Sequence, residues 1–336
     1  MTANGPDTAT PAWFVWSWWA ALRGLLFALP AAVAMPFDLR TGLALGVGVL
    51  PVVAVPLAPR RRRRIVVVFV GLLMAVSVMV GAALATTPWL AVAGIFLMAV
   101  GAAALAMRRP AAKVLMTLAV PLTAVGFSYE GLAAGAPLAV LFVAGSVYGW
   151  LVTLLPWPPS SARHGAASDA LPTLGYGVRL GLAGALCAAI GFALGFDHVG
   201  WAAAAALLVM RPSTETLRLR ALGRPVSVCV GALAAITLLQ LQVPVAVVEA
   251  AVVLVVIVAT GTVGSRWYVM PAFTTFFVFL LLLSNDLAAA AGRFDERVGE
   301  TLLGVAVALG FGQVVPDITR RRRSRATRDG PGIVTH

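Results

Sequence analysis

Apolar runs of about twenty residues, the length that carries an α-helix across a bilayer, recur along this chain with only short polar breaks between them. In lipid every backbone N–H and C=O needs a partner within its own segment, so runs of this kind fold as helices. About twelve are present, at 17–36, 41–58, 65–86, 88–107, 111–129, 134–155, 173–195, 198–212, 225–241, 243–263, 267–285 and 298–316, which leaves almost no room for a soluble domain. The fold expected is an all-α polytopic membrane protein. With 60% hydrophobic residues, 11% charged residues and a mean hydropathy of +0.95, the chain lies far from the balance of water-soluble domains.

A formal charge of +12 invites a nucleic-acid reading, but the placement of the charges opposes it. With the amino terminus in the cytoplasm, the inner breaks carry Arg60 to Arg64, Arg108, Arg109, Lys113, Arg163, Arg211, Arg218, Arg220, Arg224, Arg266, Arg320 to Arg323, Arg325 and Arg328. The outer breaks hold Arg40, Arg293 and Arg297 among the acids Asp38, Glu130, Asp197, Asp286, Asp295, Glu296 and Glu300. This asymmetry follows the positive-inside rule, with both termini expected in the cytoplasm and the arginine runs setting topology and touching anionic lipid.

No Lys or Arg precedes the first apolar run, so a retained spanning helix is expected there rather than a removable signal. Trp13, Trp16, Trp18, Trp19, Trp89, Trp150, Trp157, Trp201 and Trp267 fall near predicted helix ends, as in an aromatic belt. Cys187 and Cys229 lie inside separate apolar runs and His164, His198 and His336 are scattered, so no disulfide framework, metal site or cofactor is expected. Nucleophile-elbow, phosphate-loop and zinc-protease patterns are absent from the sequence, and no enzyme chemistry is expected.

The chain repeats itself. Arg23 precedes Arg179 by 156 residues, each near the start of the first helix of its half, and Glu130 precedes Asp286 by the same interval. RIVVVFVG from Arg64 and RPVSVCVG from Arg224 share Arg, three Val and the final Gly in register. Six helices per half is an even number, so the halves are expected as two parallel six-helix repeats with a solute path between them. The first would span 1–155 and the second 173–316, joined by a Pro- and Ser-rich cytoplasmic linker at 156–172 and followed by a basic tail at 317–336.

The stretch WAAAAALLVMRPSTETLRLRALGRPVSVCVGA, from Trp201 to Ala232, resembles the fusaric-acid-resistance-like (FUSC) family, through Trp201, Val209, Arg211, Pro212, Thr216, Leu217, Arg218, Arg224 and Gly231. Arg297, Glu300, Thr301 and Gly304 in RVGETLLG extend the resemblance. It implies an inner-membrane transporter, in a family some of whose members are linked to export of aromatic carboxylic acids and to which plant malate channels look distantly related. The large cytoplasmic domain of many bacterial members has no counterpart here.

A charge at the bilayer centre costs about 2.5–3.5 kcal/mol on insertion scales, so buried charges tend to face a cavity or a partner. Arg23 and Arg179 would form a symmetric cationic pair for a small organic anion, or would each snorkel to headgroups. Arg211, Arg218, Arg220 and Arg224 would form a basic cytoplasmic mouth, or a lipid-facing basic helix. The short eighth helix and the second helix, interrupted by Pro51 and Pro56, match in position, which points to a transport site. For proton coupling the candidates are Glu130, Asp286 and Glu249, the alternative being wet or paired carboxylates. Glycine pairs such as Gly42 and Gly46, Gly145 and Gly149, and Gly191 and Gly195 permit close helix contact, within the chain or in a homo-oligomer. The function expected is secondary-active efflux of small organic anions, with a passive anion channel or a non-transporting membrane assembly component as rivals.

Overall fold

The computed structural model of the chain describes residues 14–54, 58–158, 171–263, 265, 270–284 and 287–316, and the elements among them are helical. In chain order they are α1 (Trp18–Ala34), α2 (Leu39–Gly48), α3 (Leu50–Ala54), α4 (Val66–Ala85), α5 (Pro88–Arg108), α6 (Val120–Gly126) and α7 (Leu132–Thr153). There follow α8 (Leu174–Leu194), α9 (Gly200–Val209), α10 (Thr214–Gln240), α11 (Val245–Gly261), α12 (Met270–Leu283) and α13 (Ala290–Leu309). Taking α2 with α3, and α6 with the short 3-10 and π turns that lead into it, these fall on the twelve apolar runs. Arg61–Ala85, Pro88–Arg108, Leu132–Thr153, Leu174–Leu194 and Thr214–Gln240 are each long and apolar enough to cross a membrane.

Local chemistry sets the helix ends. Ser17, Asp38, Thr173 and Ser213 each accept a backbone N–H from the first turn of the helix they precede. The Thr41 hydroxyl, donated to Asp38, holds that exposed carboxyl below its usual range. Pro51 donates no N–H and restricts the residue before it, and α2 stops at Gly48. Pro121 would drive its ring into the carbonyl four residues back, and the π turn Leu115–Ala119 lies there.

Two boundaries differ from expectation. The helix assigned to 225–241 begins at Thr214, so the basic stretch Thr214–Arg224 is its first turns and continues through Pro225. The helix assigned to 298–316 begins at Ala290, which puts Arg293, Glu296 and Arg297 on helix α13 rather than in an outer loop. Apolar-run criteria cut both helices short because their charged turns are helical too.

Two apolar clusters form the interior. One gathers Phe27, Leu43, Val78 and Phe142 from the first half with Val252, Phe277 and Leu280 from the second. The other gathers Ile95, Met116 and Phe127 from the first half with Leu180, Leu207 and Val305 from the second. Both clusters draw on both halves. The pairs α5 with α8 and α1 with α11 are the most extensive contacts, so helices of each half pack into a core shared with the other.

Between lipid-bathed helices there is little hydrophobic driving force, and close packing of small residues takes its place. A Cβ on Gly81 would meet the Thr123 carbonyl oxygen at 2.0 Å, one on Gly145 the Gly48 oxygen at 2.1 Å, and one on Gly231 the Ala272 oxygen at 2.2 Å. Gly42, Gly46, Gly149 and Gly191 likewise press on neighbouring segments of the same chain, whereas Gly195 ends α8 in the left-handed conformation with open space beside it. Outward faces are apolar. Leu222, Val226, Val230 and Leu233 form an exposed stripe on α10, and Phe69, Leu72 and Val76 form one on α4.

Candidate functional site

Helix α9 is the axis of the second cluster. Its sequence GWAAAAALLV is buried on every face, with only Leu208 partly exposed, because alanine lets α6, α8 and α13 close around it. A Cβ on Gly200 would lie 1.9 Å from the Ala124 oxygen, and one on Gly304 would lie 2.4 Å from the Ala202 oxygen. Ten residues make a helix about 15 Å long, roughly half the hydrocarbon thickness. Polar groups at its two ends are therefore much closer together than opposite membrane faces.

At its amino-terminal end the turn Phe196–Val199 is held by ion pairs to α13. Arg293 bonds Asp197 at 2.7 Å and Glu296 at 3.1 Å, and Glu296 bonds the His198 backbone N–H at 3.2 Å and its ring Nδ1 at 3.0 Å. The Gly200 N–H donates to Ser128 at 3.3 Å. An open pocket of about 450 Å³ lies here, lined by Phe196, Asp197, Ala289, Gly292, Arg293 and Glu296.

Deeper in, His198 stacks on Trp201 with ring centres 4.0 Å apart, and the Arg297 guanidinium lies over the same indole at 4.2 Å. One turn further along α13 is Glu300, 3% exposed, with neither carboxylate oxygen hydrogen-bonded among the described residues. Arg224 of α10 is 8% exposed, its Nε has no hydrogen-bond partner there either, and it feels the positive charges of Arg297 and Arg211. Arg211, buried beyond the end of α9, donates to the Met210 carbonyl at 2.6 Å. Charged residues thus continue from the pocket at the start of α9 into the second cluster, Arg293, Glu296, Arg297 and Glu300 recurring every three or four residues on one face of α13.

Trp201 was expected in an aromatic belt and is instead buried, because its ring packs under Arg297 and His198. Trp18, Trp19 and Trp89 are exposed at helix ends, as a belt would have them. Arg23 and Arg179 behave differently from each other. Arg23 is buried and lies 5.6 Å from the Trp157 ring centre, while Arg179 is half-buried and donates to its own helix at Gly175. Arg64, which opens RIVVVFVG as Arg224 opens RPVSVCVG, is buried but bonds the carbonyls of Ala58, Thr153 and Leu155.

Of the expected basic mouth, Arg211 and Arg224 point inward. Arg218 is exposed and bonds Gln313, and Arg220 is half-buried and bonds the Leu208 carbonyl. Glu130 is exposed in a turn and Glu249 half-buried near the start of α11, whereas Asp286 and Pro56 lie outside the described residues. Half-buried Arg297 and buried Glu300 entered the sequence reading as charges of the outer breaks and through the family resemblance, not as site residues; their spacing from Arg293 and Glu296 was the available signal.

No curated protein and no solved structure matches the chain. The matched segment of the one family model runs from α8 to the end of α13 and contains Trp201, Arg211, Arg224, Arg297 and Glu300. Residues 186–311 of this helical membrane protein match the family described as fusaric acid resistance protein-like.

Proposed function

We propose that the chain is a twelve-span transporter of the bacterial inner membrane, with both termini cytoplasmic, that exports small organic anions such as aromatic carboxylates by secondary-active transport. The observation that carries this reading is Arg224, buried beside the positive charges of Arg211 and Arg297 with its Nε unpaired among the described residues. Buried cations on this scale call for a negative partner, and planar guanidinium groups suit a carboxylate. The arginine cluster within the second core, rather than the Arg23 and Arg179 pair, is the anion site in this reading.

Two parallel repeats are supported by equivalent helix pairings. The pairs α1 with α11, α2 with α7, α4 with α6 and α1 with α2 correspond to α8 with α5, α9 with α13, α10 with α12 and α8 with α9. In each case a helix is replaced by the one six spans away.

The test is uptake of isophthalate, an aromatic dicarboxylate, into proteoliposomes, alongside growth of cells with and without the gene on a panel of organic acids. R224Q and R297Q should each lower the rate about tenfold or more, the effect of losing one charged hydrogen bond, while R218Q changes it little. Equal rates for wild type, R224Q and R297Q would remove the cluster from the path. Accumulation against a gradient separates a transporter from an anion channel, and absence of flux for every acid tried would favour an assembly component.

A further inference from the structure

We propose that Glu300 carries a proton together with the transported anion, as the group that takes the anion's place beside Arg297 when the site is empty. This rests on the anion-site reading of the arginine cluster. Glu300 is 3% exposed, and among the described residues neither of its oxygens receives a hydrogen bond. An ionised carboxylate so placed has to be balanced by nearby cations or neutralised by a proton.

The charged surroundings supply both options. On its own helix Arg297 attracts it and Glu296 repels it, and Asp197 repels it from the turn before α9. His198 in that turn is engaged with Glu296, and Arg293 with Asp197 and Glu296. From α10, Arg224 acts on Arg297, with Arg211 beyond the end of α9 acting on Arg224. Helix α8 also packs on α13; it brings the buried Tyr176 and, near its start, Arg179.

With no anion bound, ionised Glu300 balances Arg297. When a carboxylate from solution engages Arg297 and Arg224, the second negative charge is no longer balanced, and Glu300 takes a proton from water on the side to which the site is open. Release of the anion reverses the step and returns the proton to water. Anion and proton therefore bind together and move in the same direction. A monocarboxylate would cross with no net charge, whereas a dicarboxylate would carry one net negative charge, which an interior-negative membrane potential drives outward. Export through this site thus draws on the membrane potential for anions bearing at least two negative charges.

The experiment uses the full chain in proteoliposomes with isophthalate as probe, comparing uptake at equal pH with uptake when the outside is more acidic. In the wild type the acidic exterior should speed uptake several-fold. In E300Q the ratio of the two rates should fall to one whatever the absolute rate, and E300D should keep the wild-type response. Should wild type carry no isophthalate under either condition, the transport reading fails and this proposal with it. A gradient response retained by E300Q overturns proton coupling at Glu300 while leaving the transport reading intact. Loss of all uptake in both E300Q and E300D overturns the proposal in favour of a structural role, and slower wild-type uptake from an acidic exterior overturns co-movement of proton and anion.

Discussion

The Arg297 guanidinium lies 4.2 Å from the centre of the Trp201 ring, a contact between α13 and the first turn of α9 that fixes where the deepest arginine of α13 sits. Trp201 is buried, so its replacement removes a cation–π contact and opens a cavity together. W201A should lower stability by about 3–5 kcal/mol in detergent unfolding, and W201F, which keeps an aromatic face, by clearly less. Equal losses for the two variants would show that volume alone matters at this position.

Arg64 ties the start of α4 to the end of α7 by bonding carbonyls of Ala58, Thr153 and Leu155. Thr153 is the last residue of α7, so its own carbonyl has no helical amide four residues on to accept from. R64A should cost about 3 kcal/mol, since charged hydrogen bonds to buried carbonyls are each worth about 1.5–3 kcal/mol. R64K, with one flexible ammonium in place of the planar fork, should recover only part of that, and thermal unfolding of the purified variants reads the difference. R224A should cost less than R64A, because Arg224 has no such set of carbonyls and adds positive charge to an already positive cluster.

Gly145 and Gly101 separate packing glycines from incidental ones. A Cβ at 145 would sit 2.1 Å from the Gly48 oxygen, so G145A forces α7 away from α2 and should destabilise the protein by about 3 kcal/mol. Nothing lies within 4 Å of a Cβ at 101, and G101A should be neutral or add up to about 1 kcal/mol through helix propensity. The yield of monodisperse protein and its unfolding temperature measure both effects.

Helix positions were largely legible, because long apolar runs between polar breaks leave the backbone few alternatives in lipid; α5 was read as 88–107 and ends at Arg108. The start of α13 was not legible, since Arg293, Glu296 and Arg297 look like loop charges until their partners on the α9 turn are known. Nor was the interleaving of the halves. Apolar side chains are compatible with many neighbours, and only shape, such as Gly304 against Ala202, specifies which helix lies alongside. Arg211 and Arg224 were expected at a basic cytoplasmic mouth, and their burial was not legible, because an arginine at the edge of an apolar run reads the same whether it turns to headgroups or inward. Equal spacing in the repeat did not make Arg23 and Arg179 equivalent, because Trp157 has no counterpart beside Arg179 among the described residues.

Orientation follows from charge placement and is tested by labelling from either side. Asp38, before α2, and Arg62, before α4, are both exposed and lie at opposite ends of the segment formed by α2 and α3. The arginine run around Arg62 is expected on the cytoplasmic side, because basic loops are retained there during insertion. In a background with Cys187 and Cys229 replaced by alanine, D38C should react with a membrane-impermeant maleimide added to intact cells. R62C should react only after the membrane is opened. The reverse pattern would invert every span and exchange the outer pocket at Arg293 with the cytoplasmic end, turning the proposed exporter around.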